Sequence, residues 1–118
     1  MLSDTDRDAA EDISDNIARV FRFVEGLSLE AFDSDEKTFY AATRCLEIIS
    51  EASRRLSPEL KARFPHIPWR DVAGSGNIYR HNYENVQQHR VWATIHSALP
   101  ALRDAMNTIL RGASIPGG

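Results

Sequence analysis

The chain has 118 residues, 42% of them hydrophobic and 26% charged, with a formal net charge of -3. That is the length and balance of one globular domain with one core, and a domain this short gains from burying more surface in a homodimer. A protein living on non-specific phosphate binding is basic, so the acidic balance restricts any nucleic-acid contact to a local patch.

The opening residues, MLSDTDRDAAEDIS, are acidic and lack the apolar run of a signal peptide. A first helix is predicted over about Asp4 to Glu25. Ala10, Ile13, Ile17, Val20, Phe21 and Val24 fall three and four apart on one face. Asp4, Asp6 and Asp8 suit its positive N-terminal end, and Gly26 suits its stop. Residues 28–32 have the composition of a short helical turn. The second long helix starts after Ser34, taken as the N-cap, with Asp35 and Glu36 in its first turn. Phe39, Ala42, Cys45, Leu46, Ile49, Ala52 and Leu56 form its stripe, and Arg54 and Arg55 lie in its last turn. Ser57-Pro58-Glu59 restarts a short helix to about Phe64. Pro65 and Pro68 then break the path, and Pro68 begins a helix to about Asn82. Gly74 and Gly76 weaken that helix by roughly 1 kcal/mol each, which suggests close approach of a backbone or ligand. The last helix spans about Gln87 to Leu110, kinked by Pro100 and stopped by Gly112. The expected fold is all-α, an up-and-down bundle of four to five helices. It occupies residues 1–112, with a flexible tail over 113–118. No apolar stretch approaches the roughly 20 residues of a membrane span, so a cytoplasmic location is expected.

Cys45 is the one cysteine and reads as a small buried hydrophobe, with no cysteine metal cluster available. Neither a metal nor a cofactor is expected. His66, flanked by Pro65 and followed closely by Pro68, reads as a loop residue. His89 and His96 are seven apart near one helix face, with no third ligand at suitable spacing, and read as solvated or interfacial. Trp69, Tyr79 and Trp92 read as core or interface aromatics.

His81 differs in its neighbours. Asn77 precedes Arg80 by three residues and His81 by four, so on a helix it lies beside both. Tyr83 follows just beyond. This set combines a fixed cation, a titratable imidazole, an amide and a phenol, which suits a phosphodiester: the guanidinium binds phosphate and the imidazole shuttles protons. On spacing alone a second reading stays open, in which Arg80 and His81 complement a helix C-terminus and Tyr83 packs as a lid.

From Ile67 to Trp92 the chain reads IPWRDVAGSGNIYRHNYENVQQHRVW. This segment resembles the HepT-like toxins of the HEPN superfamily, partners of MntA-type nucleotidyltransferase antitoxins. Ile67 to Gly74, His81, Tyr83, Val86 and Trp92 match the family pattern, with Val72 in place of isoleucine, and the helix order fits over the whole domain. The resemblance implies an HEPN-like helical homodimer whose motif helices line one cleft, and metal-independent cleavage of an RNA substrate. It also implies neutralisation within a type VII toxin–antitoxin system by AMP transfer onto the motif tyrosine, Tyr83. His81, Arg80 and Asn77 are the catalytic candidates, and Tyr83 the substrate contact and AMP acceptor. The pattern's arginine falls at Gly76, where glycine cannot replace it, and Arg80 is the nearest substitute. The alternative implied by that departure is a catalytically inactive interaction subunit that binds a nucleotidyltransferase partner.

Overall fold

The computed structural model describes residues 2–75 and 86–112. Among them are seven helices, in the order α1 (Asp4–Val24), α2 (Leu29–Ser34), α3 (Glu36–Arg55), α4 (Pro58–Ala62), α5 (Trp69–Gly74), α6 (Val86–Ser97) and α7 (Leu99–Leu110). Among the described residues there is no strand, as the helical periodicity predicts. The five helices of the sequence reading are present, the one expected from Pro68 to about Asn82 being seen over Trp69–Gly74, with residues 76–82 outside the described residues. The count rises to seven because residues 29–34 form a helix of their own and because the last helix is divided.

That division has a simple cause. A helix kinked by Pro100 is expected, but proline has no N–H to continue the ladder and its ring crowds the preceding turn. The chain resolves the conflict by ending α6 at Ser97 and restarting at Leu99, with Pro100 in the first turn of α7. The Ala98 N–H still reaches the Thr94 carbonyl at 3.0 Å. Two further boundaries differ from expectation. Ser34 is the last residue of α2, with its hydroxyl donating to the Glu30 carbonyl, and the N-cap of α3 is Asp35. The Asp35 carboxylate accepts from both the Thr38 N–H (3.0 Å) and the Thr38 hydroxyl (2.7 Å), so it satisfies an orphan donor as a cap should. The short helix after Ser57 closes at Ala62, not Phe64, where the Trp69 indole N–H donates to the Lys61 and Phe64 carbonyls. Gly26 and Gly112 both take positive φ just beyond α1 and α7, the left-handed conformation that a helix stop needs.

α1 and α3 form the principal pair, and polar contacts show that they run antiparallel. Asp6, near the start of α1, meets Ser57, just past the end of α3. Farther along α1, Asp12 pairs with Arg55 at 2.7 Å. α7 packs beside α1, α5 against α3, and α2 against α6. Ile13, Ile17 and Val20 of α1, Leu46 and Ile49 of α3, Val91 and Ile95 of α6, and Leu102 and Met106 of α7 fill the core. Phe21, assigned to the α1 stripe, lies at its edge with the Arg103 guanidinium 5.3 Å from its ring centre. No helix among the described residues is long and apolar enough to cross a membrane.

Candidate functional site

Four sequence candidates, Asn77, Arg80, His81 and Tyr83, lie outside the described residues, as do Gly76, Tyr79 and the tail from residue 113. What the structure defines is the frame from which that segment departs and to which it returns. It departs at Ser75, the C-cap of α5, and returns at Val86, the start of α6.

The departure point is held firmly. The carbonyl of Ala73, in the last turn of α5, accepts hydrogen bonds from two α3 side chains. One is the buried Ser50 hydroxyl; the other is the Arg54 guanidinium, at 2.6 Å. Ser50 and Arg54 are four residues apart and so share one helix face. The Ser75 hydroxyl donates to the Val72 carbonyl at 2.8 Å, closing the last turn of α5. A carbonyl that has lost its intrahelical partner is thereby satisfied by a charged donor, which suits the negative end of a helix. Gly74 does not meet the close backbone approach that its sequence suggests. Among the described residues, a Cβ built there meets nothing within 4 Å, so none of them requires glycine at this position.

A cavity of about 340 Å³ opens beside this anchored end, with Ile49, Val72, Ala98 and Leu99 among its walls. Arg70, Asp71, Ser75 and Thr94 also line it. It therefore sits where α3, α5 and the α6–α7 break meet. Arg70 and Asp71 are exposed. The Thr94 hydroxyl donates to the Arg90 carbonyl at 2.9 Å, so both hydroxyls of the lining spend their protons on backbone and offer oxygen as acceptors.

Two of the other histidines, His89 and His96, serve structure. His66 is exposed beside the Phe64 ring. His89 Nε2 donates to Asp33 Oδ2 at 2.8 Å and so joins α6 to α2. His96 Nδ1 donates to the Trp92 carbonyl at 2.9 Å, and its ring lies 4.2 Å from the Trp92 ring. His89 and His96 thus turn to separate partners. Burial pushes the Cys45 thiol up, which disfavours the thiolate and its chemistry. Trp69 and Trp92 are half-buried against the core rather than fully inside it.

The sequence reading missed Ser50 and Arg54 as anchors of α5, the Asp6–Ser57 contact and the Asp33–His89 pair. Each joins residues 19 or more apart in the chain. The available signal was a serine inside an otherwise apolar stripe, at Ser50 of α3, which asks for a partner when buried.

Fold and frame together define a small all-α bundle with an apolar cavity between helices, the place where bundles build their ligand sites. The family model described as Ribonuclease HepT-like matches residues 13–109, and the chain belongs to that family. The chain is 35% identical to the probable ribonuclease HepT of Thermococcus cleftensis over 97 residues, covering 82% of this chain and 88% of the relative. It is 34% identical to a candidate RNase of Caldanaerobacter subterraneus over 88 residues, covering 75% and 79%. It is 28% identical to a candidate RNase of Methanocaldococcus jannaschii over 100 residues, covering 85% and 83%. No solved structure gives a significant match.

Proposed function

We propose that the chain is a HepT-like ribonuclease toxin of a type VII toxin–antitoxin system, acting without a metal as a homodimer. Membership of the ribonuclease HepT-like family carries this reading, and relatives named as ribonucleases support its RNA substrate. RNA supplies its own nucleophile. The 2′-hydroxyl attacks the adjacent phosphorus, a 2′,3′-cyclic phosphate forms, and the 5′-oxygen leaves with a proton. Such a reaction needs a group to take the first proton, a group to return one, and a cation for the charge building on the phosphate. His81 serves the proton transfers, Arg80 binds the phosphate, and Asn77 orients one of them. Tyr83 contacts substrate. It is also the acceptor onto which an MntA-like nucleotidyltransferase moves AMP from ATP, with release of pyrophosphate, which blocks the cleft.

Production of the chain alone is expected to arrest growth, and His81→Ala is expected to relieve the arrest. Incubation with its partner nucleotidyltransferase and ATP is expected to add the mass of AMP to Tyr83. Arrest that persists in His81→Ala would remove the toxin mechanism; an unmodified Tyr83 would remove the neutralisation step.

Gly76 favours a second reading, because it stands where the family pattern has arginine. In that reading the chain is a catalytically inactive interaction subunit. It binds the nucleotidyltransferase, leaves RNA intact and does not slow growth.

A further inference from the structure

We infer that the cavity between α3, α5 and the α6–α7 break seats one nucleotide of the RNA strand, a base carrying an exocyclic amino group. The inference rests on the ribonuclease reading for its choice of polymer, and on the described residues for its chemistry. The cavity's 340 Å³ lies at the lower end of the range of small-ligand sites, roughly 300 to 1,000 Å³, and fits one nucleotide rather than several.

Its walls suit the flat faces of a base. Ile49, Val72, Ala98 and Leu99 are apolar and come from three separate helical elements. Its polar groups suit the edge of one. Ser75 Oγ and Thr94 Oγ1 donate elsewhere and present lone pairs, and the Asp71 carboxylate adds a third acceptor. The two N–H bonds of an exocyclic amine on adenine, cytosine or guanine can be taken up by two of these three acceptors, whereas the Watson–Crick edge of uracil offers a single N–H, at N3. The charge of the rim suits the backbone of the strand. Arg70 lines the opening, and the Arg54 guanidinium lies at Ala73, between the wall residues Val72 and Gly74. The exposed Arg70 guanidinium gives a planar fork for phosphate next to a slot for a base, and Arg54, held on the Ala73 carbonyl, adds positive charge nearby. In a chain with a net charge of -3, a phosphate contact has to be local, and Arg70 supplies positive charge at this opening.

The test uses full-length chain carrying His81→Ala, so that binding is read without turnover. AMP and UMP are titrated separately at millimolar concentration against backbone and methyl resonances. AMP is expected to shift Val72, Thr94, Ala98 and Leu99, and UMP to bind more weakly. Arg70→Glu is expected to weaken AMP binding about tenfold, the loss of one charge-assisted contact. Ala98→Phe, which fills the cavity, is expected to abolish it. Arg70 is exposed, so that variant remains informative even if Ala98→Phe does not fold. The inference is overturned if AMP leaves these resonances unmoved, if UMP matches AMP, or if Arg70→Glu binds AMP normally. Resonances that move on dilution and not with AMP also overturn it, marking the cavity as a contact between copies. RNA cleavage by the unmutated chain, unaffected by Arg70→Glu, would sink the pocket and leave the nuclease standing. AMP binding in a chain that cuts no RNA would do the reverse.

Discussion

At the scale of single residues, two positions show how local environment decides what a side chain contributes. Gly74 ends α5 with none of the described residues near its Cβ position and without a positive φ, so its flexibility is a cost rather than a requirement. Gly74→Ala is expected to leave the protein as stable or stabilise it by up to about 1 kcal/mol in urea unfolding. A loss of stability would show that glycine is needed there. Asp35 is the opposite case. The side-chain hydrogen bond from Thr38, then the Thr38 N–H, hold its carboxyl below the ordinary value of 3.8. A depressed folded-state pKa means that the carboxylate contributes stability above the unfolded value, and the contribution is lost as pH falls through the folded one. The Thr38 amide resonance is expected to titrate with a midpoint below 3.8. Asp35→Ala is expected to remove that titration; its persistence would assign the effect to another group.

At the scale of elements, periodicity was informative because each long helix buries one continuous stripe. Phe39, Ala42, Cys45, Leu46, Ile49, Ala52 and Leu56 are all buried, as their spacing predicts. Breaks were harder to place, because they depend on competition between neighbours. Asp35 outcompetes Ser34 as a cap through a second bond to Thr38, and the Pro100 kink becomes a full break at Ala98. Contacts between elements were not legible, because the residues that meet are distant in sequence. The buried Asp6 carboxylate is the clearest example: it accepts from the Ser57 N–H at 2.8 Å and the Ser57 hydroxyl at 2.9 Å. Ser57 also caps α4 through the Leu60 N–H, so one serine joins α1 to α4. Asp6→Ala and Ser57→Ala are each expected to cost about 1 to 3 kcal/mol in denaturant unfolding. Their double mutant is expected to cost less than the sum, since the pair shares an interaction. Strict additivity would mean that the contact does not tie α1 to α4.

At the scale of the molecule, the bundle brings an anchored α5 and the start of α6 to the two ends of the segment 76–85. The site candidates came from residue chemistry and from the resemblance over Ile67–Trp92, and both depend on sequence alone. The cavity beside α5 could not come from sequence, because its lining draws on residues from Ile49 to Leu99 that only packing assembles. The proposed function makes this fold a metal-independent ribonuclease dependent on His81. Incubating the purified chain with RNA in excess chelator measures it directly, with His81→Ala in parallel. Cleavage by the unmutated chain is expected, with 2′,3′-cyclic phosphate ends, and none above background by His81→Ala. Intact RNA in both, or equal cleavage by both, would contradict it.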